Sequence, residues 1–148
     1  MKRKIKIGIY NFIKEINSNY KVKFQKEETE VDIPETTIYI GKQSDKESEW
    51  DFIKFANQIN PNCKYINPFL LTILHEIGHI KTWNQKDDDE RSAINTALEI
   101  AYNKKLIKYK TYCNMYFNIP LERKATEWAI NFALSHLDLI DKYSWLHN

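Results

Sequence analysis

The pattern of apolar and polar residues predicts an amphipathic helix at the start of the chain. Between about residues 3 and 17, apolar side chains recur every three or four positions, which places them on one helical face with charged residues opposite. A lysine-rich helix of this kind can also lie on a membrane surface, but core packing is the expected role. The apolar face consists of Ile5, Ile9, Phe12, Ile13 and Ile16.

Two short segments then have the residue pattern of β-strands. Residues 20–24 alternate between apolar and polar side chains, as in a strand with one buried face. Residues 36–40 are mainly β-branched or aromatic, and Gly41 ends the run. The polar residues 25–30 between them indicate a loop or the tip of a hairpin. A small β-sheet is therefore expected.

The rest of the chain is predicted to be mainly helical. Ser44 or Asp45 can cap a helix that continues to about residue 59. Asn67 can cap the next helix, which has Pro68 in its first turn, where proline is best tolerated, and runs to about residue 83. Further helices are expected over about residues 87–106 and from about residue 118, with an aromatic cluster between them.

These elements predict an α+β fold in which a small β-sheet packs against a mainly helical body. The chain has 148 residues, which is enough for one hydrophobic core. It contains no internal repeats, low-complexity tracts or linker-like segments. We therefore expect a single domain over residues 1–148.

Charge and cysteine content narrow the function classes. The net charge is +2 and the basic residues are spread along the chain, so no nucleic-acid-binding surface is expected. Lys6, Lys14 and Glu15 interrupt the first apolar residues, unlike a signal peptide, and no apolar run approaches the length of a membrane span. Cys63 and Cys113 lack C-x-x-C spacing and are expected to be reduced thiols. These features predict a cytoplasmic protein that does not act at a membrane.

Residues 75–79 read His-Glu-Ile-Gly-His, the H-E-x-x-H pattern of zinc metallopeptidases. Residues four apart on an α-helix lie about 40° apart, so His75 and His79 can direct ring nitrogens at one metal ion. Glu76 lies about 100° from His75, beside the metal, where it can take a proton from water. Gly78 allows another segment to approach closely. The opposite, apolar face consists of Leu70, Ile73, Leu74, Ile77 and Ile80.

The motif alone does not establish a metal site, because two histidines on a helix can also be surface residues. A catalytic zinc ion usually has three protein ligands and one open position, so a third ligand is needed. Four acidic residues that follow the motif are the candidates: Glu90, Glu99, Glu122 and Glu127.

Helical geometry favours Glu122 as the third ligand. Only small side chains share its stripe over the next turns, which allows the two helices to pack closely around one metal ion. Glu127 lies about 140° away from this stripe. Glu99 has fewer small side chains on its helical stripe to allow close packing. It remains an alternative, because a shorter sequence interval between the second histidine and the third ligand is common in zincins. Thr126, one turn after Glu122, is predicted to hydrogen-bond a ligand histidine. The stripe contains Ala125, Thr126, Ala129 and Ala133.

Residues 75–79, followed by Glu-Arg-Lys-Ala-Thr-Glu-Trp-Ala at residues 122–129, resemble the ImmA/IrrE family of zinc metallopeptidases. Members of that family show HExGH and then E-x-E-A-N/D-x-F-A. The resemblance covers roughly residues 36–135, including the strand ahead of the metal helix. The chain departs from the family pattern at Lys124, at Thr126, and in the extra helix between His79 and Glu122.

The resemblance implies a zincin-like minimal metallopeptidase with an HExxH helix and a glutamate-bearing helix. It also implies that His75, His79 and Glu122 bind Zn²⁺ and that Glu76 is the general base. Many relatives cleave a helix-turn-helix repressor. The expected function is therefore a zinc-dependent endopeptidase, regulatory in role, whose substrate is a protein or peptide such as a repressor. The alternative is a non-catalytic zinc-binding or partner-binding regulatory module, against which the intact Glu76 argues.

Two further parts of a peptidase site are expected. The substrate is predicted to add as an extended strand to an exposed sheet edge, and the candidate edge is Thr37, Ile38, Tyr39 and Ile40. A side chain that stabilises the oxyanion is also expected, and the sequence does not distinguish among its candidates. The aromatic candidates belong to a cluster whose default role is core packing, with a wall of the substrate cleft as the alternative. The oxyanion candidates are Tyr109, Tyr112, Tyr116 and His136.

Overall fold

The order of elements agrees with an α+β fold. The computed structural model describes residues 1–41 and 46–147, and for residues 46–50 it describes the backbone alone. A 3₁₀ helix spans Pro61–Tyr65. The α-helices and strands are α1 (Arg3–Ile16), β1 (Lys21–Phe24), β2 (Glu30–Asp32), β3 (Thr37–Ile40), α2 (Lys46–Ile59), α3 (Pro68–Thr82), α4 (Gln85–Asn103), α5 (Tyr109–Asn118), α6 (Pro120–Ser135) and α7 (Leu137–Lys142).

The strands form a mixed sheet in the order β1-β3-β2, and this order corrects one prediction. β1 runs parallel to β3, with Lys21 opposite Thr37, whereas β2 runs antiparallel, with Val31 opposite Ile38. The segment Thr37, Ile38, Tyr39 and Ile40 is therefore the central strand, and its prediction as an exposed edge is wrong. Its β-branched residues reflect burial instead: Thr37, Ile38 and Ile40 are all buried. Strand β3 lies between two edge strands, β1 and the short strand β2, and the sequence pattern did not predict β2.

The link from β1 to β2 crosses the carboxyl end of β3 at Gly41. The backbone N–H of Gln25 donates to the Ile40 carbonyl at 2.9 Å, and that of Gly41 donates to Thr29 Oγ1 at 3.1 Å. A Cβ atom at position 41 would lie 1.6 Å from the carbonyl oxygen of Glu27. The crossing therefore requires glycine, which the sequence pattern suggested only as the end of a strand.

The core lies between the sheet, α1 and α3. The apolar faces predicted for the two helices are buried there, in α1 at Ile9, Phe12 and Ile13 and in α3 at the residues opposite the histidines. Helix α6 packs along the other side of α3. The fully buried side chains of this core include Ile9, Phe12, Ile13, Ile38, Ile40, Leu70, Leu71, Ile73, Leu74, Ile77, Ile130 and Leu146.

The cap of α3 is the one the sequence predicted, and it has a second function. Asn67 Oδ1 accepts from the backbone N–H groups of Phe69 and Leu70, at 2.8 and 3.2 Å. The Nδ2 group of the same side chain donates to the carbonyls of Ser144 and Leu146, at 2.9 and 2.7 Å. One asparagine therefore starts the histidine-bearing helix and fixes the segment after α7 to it. The other predicted caps, Ser44 and Asp45, lie outside the described residues.

The later helices differ from the prediction in number and in bounds. The aromatic cluster forms a helix of its own, α5, and α7 follows the helix that was expected to be the last. Helix α4 begins two residues before the predicted Asp87, because Asn84 caps it through a bond to the Asp87 N–H at 2.8 Å. None of the helices in the described ranges has the length and apolarity that crossing a bilayer requires.

Candidate metal centre

Helix α3 directs both histidines of the motif toward α6. His75 and His79 are one helical turn apart, their ring centroids are separated by 4.7 Å, and both side chains are buried. The ring of Phe52 meets that of His75 edge to face at 5.3 Å. The predicted division of α3 into an apolar face and a histidine face is confirmed by the burial of Leu70, Ile73, Leu74 and Ile77 on the opposite side.

Helix α6 supplies Glu122 from its first turn. Glu122 Oε2 lies 3.0 Å from His75 Nε2 and 3.1 Å from His79 Nε2, and Glu122 is buried. One ligand atom from each of these three residues lies within 4.8 Å of the other two, so the group could hold a metal ion. Two imidazole nitrogens and one carboxylate oxygen are a donor set that suits zinc.

Thr126 determines which nitrogen of His75 is available to a metal. The Thr126 hydroxyl donates to the Glu122 carbonyl at 3.0 Å, which uses its one hydrogen. At 2.9 Å from His75 Nδ1, Thr126 Oγ1 must therefore accept, so that Nδ1 carries a proton. A neutral His75 then has its lone pair on Nε2, the atom that faces Glu122. This arrangement is the one that a metal-ligating histidine requires.

Glu122 and His75 shift each other's pKa. Burial opposes the charge on Glu122, yet its hydrogen bonds with His75 and His79 outweigh burial and lower the pKa of that carboxyl well below its ordinary range. For His75, burial lowers the pKa, but the hydrogen bond and negative charge of Glu122 outweigh it and the pKa is raised. A proton on His75 thus compensates for the buried carboxylate. A divalent metal ion would replace that proton and satisfy all three ligand atoms at once.

Glu76 follows His75 on α3 and is not one of the three residues of the ligand group, which are His75, His79 and Glu122. The side chain is half-buried. Burial raises the pKa of Glu76, the positive charges of the histidines act in the opposite direction, and the carboxylates of Glu122 and Glu30 raise it further. The role of Glu76 as the general base remains a prediction.

Close packing of α3 on α6 brings His75, His79 and Glu122 together. A Cβ atom at Gly78 would lie 2.4 Å from the backbone oxygen of Ala125 and 3.0 Å from its Cα. The small side chains on the Glu122 stripe are all buried in this contact: Ala125, Thr126, Ala129 and Ala133. The sequence predicted both partners of this contact, the glycine on one helix and the small-residue stripe on the other.

The other acidic candidates lie away from the ligand group. Glu99 is exposed on α4, where it accepts from Asn95 Nδ2 at 3.3 Å. Glu127 pairs with Arg123 at 2.8 Å on the outer side of α6, and Glu90 is exposed on α4. Among the described residues, the histidine pair is grouped with Glu122.

One of the four oxyanion candidates reaches this group. The Tyr116 hydroxyl donates to Glu122 Oε1 at 3.0 Å, and burial together with the charge of Glu122 raises the pKa of Tyr116, so it remains a protonated donor. The Tyr112 hydroxyl donates instead to Asn95 at 3.4 Å. Tyr109 is partly exposed, and His136 bonds to the Phe132 carbonyl at 2.8 Å at the far end of α6.

Sequence reasoning missed the bond between Tyr116 and Glu122. The two residues are six positions apart on different helices, and the turn at Ile119 and Pro120 brings them together. The proline at the start of α6 indicated a turn, but the direction of the chain after the turn was not predictable from the sequence. The packing of β2 against α3 was missed as well, and the charge of Glu30 on this strand contributes to the raised pKa of Glu76.

No protein-family model matches the chain, and no curated protein or solved structure matches it either.

Proposed function

We propose that the chain is a zinc-dependent endopeptidase of the ImmA/IrrE type, with His75, His79 and Glu122 as the metal ligands. The observation that carries this proposal is the meeting of two imidazole nitrogens and a carboxylate oxygen at one buried point, beside a glutamate that is not among them. A purely structural site would have no use for Glu76 in that position, since structural zinc sites fill all four positions with protein ligands.

The chain's own residues divide the work of peptide hydrolysis. Zinc, when bound, supplies a Lewis acid that polarises the scissile carbonyl and makes water more acidic. Thr126 holds the His75 ring in the tautomer and orientation that leave Nε2 free. Glu76 takes a proton from the attacking water as its oxygen bonds to the carbonyl carbon. It then gives that proton to the amine nitrogen as the carbon–nitrogen bond breaks.

The edge of the sheet beside the site is the place where an extended substrate would bind. Strand β2 is paired on one side with β3 and also packs against α3. This packing, together with the charge of Glu30 that raises the pKa of Glu76, supports an arrangement in which β2 runs alongside the ligand group. A substrate strand added to the outer edge of β2 would hydrogen-bond through its backbone and present side chains on alternate faces. A segment of a regulatory protein, such as a helix-turn-helix repressor, is the proposed substrate.

The test uses Glu76→Gln, which keeps the shape of the side chain and removes its basicity. Wild type and variant are loaded with zinc and incubated with a peptide library and with a co-expressed repressor, and new amino termini are identified by mass spectrometry. Wild type should cleave, and the variant should bind equal zinc while cleavage falls by about 10² to 10⁴-fold. Zinc-loaded wild type that produces no new termini in either substrate would favour the non-catalytic binding module instead.

A further inference from the structure

The Glu122 carboxylate has two oxygens with different partners. Oε2 faces both histidine nitrogens, at 3.0 and 3.1 Å, whereas Oε1 accepts the hydroxyl of Tyr116 at 3.0 Å. A carboxylate can bind a metal through one oxygen or through both. The hydroxyl of Tyr116 competes with the second mode, because it occupies one of the two lone pairs of Oε1 and ties that oxygen to the tyrosine.

The Tyr116 hydroxyl is held in place from outside the metal helices. Its ring stacks on Tyr112 with centroids 6.4 Å apart and meets Phe117 at 5.6 Å. Tyr112 in turn packs against Tyr102 at 5.4 Å and Tyr109 at 6.4 Å, which joins α5 to α4. The hydroxyl of Tyr116 is therefore fixed by a series of aromatic contacts, and rotation of the ring away from Glu122 would break them.

We propose that Tyr116 is a positioning residue that keeps Glu122 in a one-oxygen binding mode and so preserves an open coordination position for the reaction. This inference rests on the proposed metal site. It assigns a role to the α4–α5 segment, since that segment carries Tyr116 and the aromatic contacts that fix it. Without the hydroxyl, the carboxylate could rotate and use both oxygens, and the open position would be lost to Oε1.

The test compares Tyr116→Phe with the matched control Tyr112→Phe. Each removes one hydroxyl from the same aromatic series, but the hydroxyl of Tyr112 bonds to Asn95 and that of Tyr116 bonds to Glu122. Each protein is loaded with Co²⁺, whose visible absorption is stronger in four-coordinate than in five-coordinate sites. Wild type and Tyr112→Phe should give the same spectrum. Tyr116→Phe should give a weaker and shifted spectrum, and its zinc affinity should fall by about 10 to 100-fold, as for other partners of metal ligands.

The outcomes distinguish the positioning role of Tyr116 from the metal site itself. Failure of wild type to bind Co²⁺ or zinc would remove the metal site itself. A Tyr116→Phe spectrum identical to that of wild type would overturn the positioning role while leaving the metal site intact. Reduced cleavage with an unchanged spectrum would also overturn it, because the hydroxyl would then act on the substrate directly. Circular dichroism of both variants verifies that each is folded.

Discussion

The α3–α6 pair and the α4–α5 pair both border the ligand group, but they are built differently. Where α3 meets α6 the packed residues are small or apolar and buried, and the backbones approach so closely that Gly78 has no room for a Cβ atom. The α4–α5 pair and the turn between its helices leave large apolar side chains in solvent: Leu106 in the turn is 73% exposed, Ile100 50% and Met115 48%. The first pair sets positions through its backbones, and the second reaches the site through the side chain of Tyr116.

Polar contacts join the two pairs. Lys124 on α6 forms an ion pair with the buried Asp87 at the start of α4, and Asn84 donates to the same carboxylate at 2.8 Å. Because Lys124 is two residues from Glu122, this contact fixes α4 next to the ligand helix. Substitutions at the α3–α6 contact should therefore alter metal binding and stability together. Substitutions on the surface of α4–α5 should alter neither.

The largest effect is expected from Glu122→Ala. Two histidines alone hold zinc weakly, so affinity should fall by more than the roughly 100-fold typical of losing a partner of a ligand, and cleavage should fall with it. The measurement is zinc affinity by competition with a chelator. Glu99→Ala on α4 and Glu127→Ala on the outer side of α6 are the controls and should keep wild-type affinity. If Glu99→Ala loses zinc and Glu122→Ala does not, the third ligand is misassigned.

The next effect concerns the backbone contact. Alanine favours a helix over glycine by about 0.5–1 kcal/mol, yet Gly78→Ala should destabilise the protein by about 1–3 kcal/mol because Ala125 cannot move away without moving α6. Urea denaturation measures the change. Gly8→Ala is the control: its Cβ would meet the ends of two side chains, Leu146 and Trp145, each at 2.7 Å, and these can adjust. An equal loss of unfolding free energy in the two variants would mean that the backbone contact between α3 and α6 tolerates a side chain no worse than the side-chain contacts of Gly8.

Acid should weaken metal binding at the α3–α6 pair. Below the raised pKa of His75, zinc has to displace a proton from that ring, so affinity should increase about tenfold per pH unit and level off above that pKa. Chelator competition between pH 5 and 8 gives the profile. An affinity that does not change over this range would show that His75 is not protonated in the metal-free site.

The metal-free protein should show the corresponding change in the free energy of unfolding. The raised pKa of His75 stabilises the fold below the ordinary value of 6.5, and this contribution is lost as pH rises through the folded-state pKa. The lowered pKa of Glu122 stabilises the fold above the ordinary value of 4.5 and is lost on acidification. Hydrogen bonds from Lys124 and Asn84 lower the pKa of Asp87 on α4, so its contribution stays complete from pH 5 to 8.

The smallest effect is expected on the surface of α4–α5. Leu106→Ala should change the free energy of unfolding by less than about 0.5 kcal/mol, because the side chain is already in solvent. The same substitution at the buried Leu98 of α4 should cost about 2–5 kcal/mol. Thermal unfolding of the zinc-loaded proteins measures both. A large loss at Leu106 would indicate that this surface is covered in solution.

Local sequence patterns predicted the helix pair well and the rest of the site less well. The Asn67 cap, the histidine face of α3 and the small-residue stripe after Glu122 depend on residues within one or two helical turns, and the structure confirms their packing. Strand β2 has the sequence Glu-Val-Asp and only three residues, so it carries almost no apolar alternation.

Strand order and the Tyr116 contact depend on how distant segments meet. Strand β3 is central because the link from β1 to β2 crosses its end at Gly41. A β-branched sequence alone does not predict this position, since it suits an edge strand as well as a central one. The bond from Tyr116 to Glu122 depends on the direction that the chain takes at Pro120. The residue pattern of a single helix or strand predicts neither the strand order nor this bond. The edge was therefore assigned to the wrong strand.

The contact between Gly78 and Ala125 has a consequence for protein design. It makes the spacing of the ligands a property of two helix backbones, with side-chain rotamers only completing the geometry. Such a unit is portable: any two helices that touch backbone to backbone at one glycine could accept the same His, His, Glu and Thr at the same offsets. Grafting those residues onto a de novo bundle would therefore require copying the relative placement of one helix pair, together with a third helix that supplies the tyrosine bonded to the glutamate.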